Sequence, residues 1–137
     1  MNLFTSFHPF NALLPLWLLI NRIGISAFML THGYPKLMRL LDGNTDGFPD
    51  PLGIGIAASL LLAVLTEVVA SFLLMLGLFS RFAALGLIVT MAVAVFIVHV
   101  NDPFGRMEMA LLYLFSYLTI FFFGPGKYAL DALIRKR

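Results

Sequence analysis

Four long apolar stretches, separated by short polar or glycine- and proline-rich segments, make up most of the chain. They cover approximately residues 15–32, 54–79, 82–100 and 107–123. About 20 apolar residues in a helix cross a hydrocarbon core of about 30 Å, so each stretch can span a membrane. Because the connections are short, we expect successive spans to be antiparallel. The pattern predicts an all-α integral membrane four-helix bundle with up-down topology, in one domain over residues 1–137.

The ends of the first and fourth spans carry helix-stopping residues. Gly33-Tyr34-Pro35 is expected to end the first helix, and residues 36–41 are then expected to form a short amphipathic surface helix. Gly124-Pro125-Gly126 is expected to end the fourth span in the same way. Residues 127–137 follow as a second short surface helix.

The only strongly polar loop, residues 42–51, matches the first half of a calcium-binding loop. The matching positions are Asp42, Asn44, Asp46, Gly47 and Asp50. The twelfth position, however, is Gly53, where a calcium loop has a bidentate glutamate. We therefore expect an ordinary turn rich in Asx and glycine, without a functional calcium site.

Composition supports the membrane assignment. Hydrophobic residues make up 61% of the chain and charged residues 12%, and the mean hydropathy is +0.96, which excludes an ordinary soluble globule. The net charge of +2 does not indicate nucleic-acid binding, because the basic residues are scattered over loops and chain ends. With no cysteine, the chain forms no disulfide, no thiolate nucleophile and no cysteine-ligated iron–sulfur cluster.

The basic residues also predict how the chain is oriented. Four spans place both termini on one side of the membrane, and that side carries Arg81, Lys127, Arg135, Lys136 and Arg137. The other side carries Lys36, Arg39 and Arg106, among several aspartates. The positive-inside rule therefore predicts cytoplasmic N- and C-termini and an extracytoplasmic 42–51 loop.

Two charged residues lie well inside the spans, away from their ends: Arg22 in the first and Glu67 in the second. An ionised carboxylate in mid-membrane costs at least about 2.5 kcal/mol, so Glu67 needs a partner or a proton. At 1.5 Å rise per residue, Arg22 lies ~10 Å and Glu67 ~18 Å from the same membrane face. We expect the two to pair as a buried polar core, either as a structural ion pair or as a working proton or substrate site.

Further polar residues fall at the outer ends of the first, third and fourth spans: His32, His99, Glu108 and, close by, Asp102. They can ligate a metal, or hydrogen-bond a quinone headgroup between aromatic walls such as Tyr113. They can equally be separate interfacial histidines, since no histidine pair has ligand spacing within one helix. No particular metal site is predicted.

Together these residues resemble the DoxX family. The resemblance is carried by Arg22-x-Gly24, Phe28, His32-Gly33-x-x-Lys36-Leu37, Phe48-Pro49-Asp50-Pro51-Leu52-Gly53, Glu67, Gly77-Leu78-x-x-Arg81-x-Ala83-Ala84, Gly124-Pro125-Gly126 and Leu130-Asp131. It implies a four-helix bacterial inner-membrane protein related to the small membrane subunit of thiosulfate:quinone oxidoreductases. The family's polar positions fall on Arg22, His32, Lys36, Glu67 and Glu108, which adds Lys36 to the outer cluster of His32, His99 and Glu108.

Three functional classes follow. The resemblance favours a subunit of a quinone-linked or redox-stress oxidoreductase complex, catalytic or not, working with a soluble partner of the oxidoreductase or sulfurtransferase type and with quinone as the candidate cofactor. Charges in mid-membrane would also suit a small transporter, which at this size would have to form a homo-oligomer. The third class is a structural membrane anchor whose charges only hold the helices together.

Overall fold

The computed structural model describes the backbone of residues 8–135 and the side chains of residues 13–135. All regular structure in this part of the chain is helical, and four helices are long and apolar enough to cross a membrane. They are α1 (His8–Leu41), α2 (Ile56–Leu76), α3 (Ser80–Val98) and α4 (Phe104–Phe123), followed by a short α5 (Leu130–Ile134). The expected all-α architecture with four spans is confirmed. Lys136 and Arg137, counted above for orientation, lie outside the described residues.

The first helix is longer than the sequence suggested. It continues through Pro15 and Pro35 to Leu41, so the expected break at Gly33-Tyr34-Pro35 and the separate surface helix over residues 36–41 were wrong. A proline removes one backbone hydrogen bond, which membrane helices tolerate when neighbouring groups satisfy the freed carbonyl. As a result Lys36 lies four residues after His32 on the same helix, and thus on the same face.

Two helices change their winding near polar residues. The middle of α2, Leu65–Ala70, is π-helical and contains Glu67. The end of α3, Ala94–Val98, is also π-helical and leads directly into His99. Single π-helical turns inside α-helices occur frequently at functional sites. The first lies near the middle of α2 and the second at the end of α3.

Side-chain contacts hold α2 and α3 together as the hairpin expected from their short connection. The hydroxyl of Thr90 donates to the hydroxyl of Thr66 at 2.8 Å. The core shared with α1 and α4 is filled by fully buried side chains, among them Met29, Leu74 and Leu87. The outward faces carry exposed apolar side chains such as Phe82 and Phe122, as lipid-facing surfaces do.

Asp50 organises the start of α2. Its carboxylate accepts hydrogen bonds from the Ser59 hydroxyl at 2.7 Å and from the backbone N–H groups of Ile54 and Gly55 at 3.1 and 2.9 Å. The Ser59 hydrogen bond is the main reason that the pKa of Asp50 lies below its usual range. The carboxylate thus holds the turn that leads into α2, whose N-cap is Gly55. The absence of a calcium site in this loop stays a prediction.

Candidate functional site

Glu67 pairs with Lys36 and not with Arg22. The Lys36 ammonium lies 2.5 and 2.6 Å from the two carboxylate oxygens of Glu67. Arg22 instead donates to the backbone carbonyls of Leu74 at 3.2 Å and Tyr128 at 3.3 Å. The expected Arg22–Glu67 pair was therefore wrong, although both side chains are buried as expected.

The physical reason is the length of α1. Because this helix continues past Pro35, it brings Lys36 down to Glu67 from the far end of the bundle. Arg22 lies opposite Leu74, seven residues further along α2 than Glu67, which is roughly 10 Å at 1.5 Å per residue. The guanidinium therefore reaches towards the end of α2 and away from the carboxylate.

Gly33 allows α1 and α2 to approach closely at this ion pair. A Cβ at Gly33 would lie 2.8 Å from Val68 Cγ2 and 3.0 Å from the backbone carbonyl of Glu67. Small residues allow such close approach between membrane helices. The Glu67 side chain is only 4% exposed and that of Lys36 30% exposed, so Lys36 lies between the buried carboxylate and the outside.

The ion pair lines a cavity of about 230 Å³, which we call the polar pocket. Its polar lining consists of His32, Lys36, Glu67, His99, Arg106 and Tyr113, and its apolar lining includes Met29, Met91 and Met109. Three members of the predicted outer cluster thus come together, and Glu67 joins them. Glu108 does not line the pocket and is exposed, because its position on α4 faces away.

Two further contacts shape the polar pocket. His99 Nδ1 lies 2.7 Å from Asp102 Oδ2, and Arg106 Nη1 lies 3.8 Å from the same oxygen. The ring of His32 meets Tyr113 edge-on, with centroids 5.7 Å apart and planes at 88°. From sequence, Arg106 was counted only as a loop charge. Its position four residues after Asp102, in the first turn of α4, was a usable signal for this contact.

A second cavity, the lipid-facing groove, adjoins the polar pocket. It has a volume of about 450 Å³, and its lining comes from α1 and α4: Ile25, Phe28, Thr31, His32, Met109, Leu112, Tyr113 and Ser116. This volume lies within the range of about 300–1,000 Å³ that is usual for ligand sites. His32, Met109 and Tyr113 line both cavities, so the groove lies directly beside the polar pocket.

The donor set of the polar pocket suits an organic headgroup with oxygen atoms. Imidazoles both donate and accept hydrogen bonds, and an ammonium donates three. These groups match the carbonyl or hydroxyl oxygens of a quinone or quinol ring. Among the side chains of residues 13–135, His, Asp and Glu do not form a group of three or more that could hold a metal ion.

At the other end of the bundle, a second set of polar contacts involves mainly the backbone. We call Arg22, Leu74, Gly77, Tyr128 and Asp131 the Arg22 cluster. The Asp131 carboxylate accepts from the backbone N–H groups of Phe79 and Ser80, both at 2.8 Å, and the Asp131 N–H donates to the Gly77 carbonyl at 2.8 Å. These bonds attach the segment after α4 to the turn between α2 and α3.

Comparison with known proteins identifies the family. The DoxX family profile matches residues 17–100, which is more than half of the chain. The chain belongs to the DoxX family. With its four apolar helices, this DoxX protein is a multi-pass membrane protein.

Two relatives from Haemophilus influenzae are similar to this DoxX protein, and both are uncharacterized. One is 36% identical, over 85% of this chain and 90% of the relative. The other is 32% identical, over 66% of this chain and 64% of the relative. No solved structure matches the chain significantly.

The family's polar positions, with the exception of Glu108, divide between the two polar regions of this DoxX protein. His32, Lys36 and Glu67 meet in the polar pocket. Arg22, Gly77 and Asp131 meet in the Arg22 cluster. Glu108, the remaining family position, belongs to neither.

Proposed function

We propose that this DoxX protein is the quinone-binding membrane subunit of an oxidoreductase complex. The observation that carries the proposal is that the polar pocket and the lipid-facing groove are neighbours that share three lining residues, His32, Met109 and Tyr113. A quinone consists of a polar ring on a long apolar tail. The two cavities offer an environment for each part, side by side.

The headgroup would lie in the polar pocket. Its oxygens would receive hydrogen bonds from the His32 imidazole and the Lys36 ammonium, His99 would lie beside them, and Tyr113 and the methionines would contact the ring. Glu67 uses its carboxylate to hold Lys36 in place. When bound, the quinone would supply the two-electron redox chemistry, and the chain's own residues would bind it, orient it and exchange its protons.

The tail would lie in the lipid-facing groove. Phe28 and Leu112 form part of this groove and are 63% and 58% exposed on the bundle surface, where they meet lipid. Helices α1 and α4 pack against each other less closely than α3 and α4 do. A lipid-soluble ligand can therefore enter from the bilayer between them, without passing through water.

Electrons would be exchanged with another protein. The chain has no cysteine with which to hold an iron–sulfur cluster. We propose a soluble oxidoreductase or sulfurtransferase-type partner, and a location in the bacterial inner membrane with cytoplasmic termini. Co-purification in mild detergent tests the partner, and homo-oligomers would be detected in the same preparation.

The orientation is tested by labelling a single cysteine. The chain has no native cysteine, so Asp46→Cys places one reactive thiol in the 42–51 loop. We expect a membrane-impermeant maleimide to label this thiol in intact cells whose outer membrane has been permeabilised. Labelling only after the inner membrane is broken would reverse the proposed orientation.

The binding site is tested by titrating decylubiquinone into the purified protein in lipid nanodiscs. We expect saturable binding to the wild type and at least about tenfold weaker binding after Leu112→Trp, which fills the groove. Phe115→Trp is the matched control, because Phe115 is similarly exposed on α4, at 63%, but lies outside the groove. Unsaturable partitioning that is equal in all three proteins would contradict the proposal and favour a structural anchor.

A further inference from the structure

We infer that His99 accepts the proton of a headgroup hydroxyl in the polar pocket, and that Asp102 is its positioning residue. The inference rests on the proposed quinone site and adds the acid–base chemistry of that site. It starts from a contact that quinone binding alone does not explain, the 2.7 Å approach of His99 Nδ1 to Asp102 Oδ2.

The carboxylate determines which nitrogen of His99 is available. In neutral histidine one ring nitrogen carries the proton and the other accepts. A carboxylate at Nδ1 holds the proton there, which leaves Nε2 as the acceptor, and it stabilises the imidazolium that forms when Nε2 gains a proton. His99 lines the polar pocket, so a headgroup in the pocket lies next to this ring.

The other charged or titratable groups that face the polar pocket are less suited to this role. Lys36 and Glu67 are bonded to each other, and Arg106 is a permanent cation. Tyr113 and His32 pack ring edge against ring face, and among the described side chains no carboxylate contacts the His32 ring. Of the basic side chains that line the pocket, His99 is thus the one whose free ring nitrogen a carboxylate leaves available as a proton acceptor.

The proposed step is a proton transfer without change in oxidation state. The O–H bond of the headgroup hydroxyl breaks, the N–H bond at His99 Nε2 forms, and the electron pair of the O–H bond stays on the ligand oxygen. The His99 and Asp102 side chains are 32% and 31% exposed, so the imidazolium can release its proton to water. That water is on the side of the bundle opposite the Arg22 cluster.

The test uses a coloured phenol that stands in for the headgroup hydroxyl, 2-decyl-4-nitrophenol, bound to the protein in nanodiscs. Its phenolate absorbs visible light, so absorbance against pH gives the pKa of the bound probe. We expect this pKa to be lower in the wild type than in empty nanodiscs by at least about one pH unit. His99→Gln should abolish the shift and Asp102→Asn should reduce it. Glu108→Gln, at an exposed carboxylate outside the pocket, should leave it unchanged.

The outcomes separate the two claims. If the probe binds saturably but has the same pKa in the wild type and His99→Gln, the role of His99 is wrong and the quinone site stands. If decylubiquinone binds and the probe does not, the pocket accepts no hydroxyl and the inference also fails. If neither ligand binds the wild type, both claims fail. Should His99→Gln not fold, an unchanged shift in Asp102→Asn overturns the inference instead.

Discussion

The Arg22 cluster and the polar pocket each contain a buried charge, but the partners of those charges differ. Arg22 is 1% exposed and donates to two backbone carbonyls, while Asp131 accepts from two backbone N–H groups. In the polar pocket Glu67 and Lys36 bond to each other beside histidines that line a cavity. Charges that satisfy backbone groups at helix ends stabilise the fold. We propose that the pair beside the cavity holds the lining of a ligand site in place.

The largest expected effect is on stability at the Arg22 cluster. A Cβ at Gly77 would lie 2.0 Å from Arg22 Nη1 and 2.5 Å from Ala129 Cβ, and the φ of Gly77 is +73°. Gly77→Ala should therefore lower the free energy of unfolding by at least about 2 kcal/mol, measured by denaturation in mixed micelles. Gly105→Ala is the control, because a Cβ there meets nothing within 4 Å. Equal stability of the two variants would contradict the close packing described here.

Removing the guanidinium should have the next largest effect. Arg22→Met leaves the buried carbonyls of Leu74 and Tyr128 without this donor, which should cost about 1–3 kcal/mol of unfolding free energy. Arg81→Met removes an exposed arginine at the same end of the bundle and should change stability by less than about 0.5 kcal/mol. Similar losses in the two variants would show that charge at this end matters more than the hydrogen bonds.

Double-mutant cycles sharpen the comparison further. Glu67→Gln and Lys36→Met should show a coupling energy of about 0.5–3 kcal/mol, since the two side chains are in contact. Glu67→Gln and Arg22→Met should be additive to within about 0.5 kcal/mol, because Arg22 bonds elsewhere. Strong coupling of Glu67 to Arg22 would restore the ion pair that the sequence suggested.

The smallest expected effect is the pH dependence of the Arg22 cluster. Burial alone would raise the pKa of Asp131, but hydrogen bonds from Ser80 and Phe79 and the charge of Arg22 lower it overall. A lowered folded pKa means that the carboxylate stabilises the protein above its unfolded pKa of about 3.9, and that this stabilisation is lost as pH falls through the folded value. Asp131→Asn should therefore flatten the fall of Tm in acid. If Tm of that variant falls with decreasing pH as steeply as Tm of the wild type, Asp131 is not the cause of the fall.

The fold was predictable from sequence because apolar stretches of membrane length allow few alternatives. The ion pairs were not predictable, because they depend on where each helix ends and on how deep each charged residue lies in the bundle. Treating Pro35 as a helix end separated Lys36 from the bundle, and only the continuous α1 brings it to Glu67. Of the predicted outer cluster, His32, Lys36 and His99 do come together in the polar pocket. Glu108 is exposed instead, because its position around the α4 axis faces away from the pocket. A single sequence does not determine that rotation.

The central claim is that the Arg22 cluster stabilises the fold while the polar pocket binds the ligand. The rise in Tm that decylubiquinone produces tests this claim most directly. It would be measured in nanodiscs for the wild type, Asp131→Asn and Glu67→Gln, since a ligand that binds only the folded state raises its stability. We predict that Asp131→Asn starts from a lower Tm but keeps the full rise, and that Glu67→Gln loses most of it. A full rise in Glu67→Gln, or an equal loss in both variants, would contradict the assignment of ligand binding to the polar pocket.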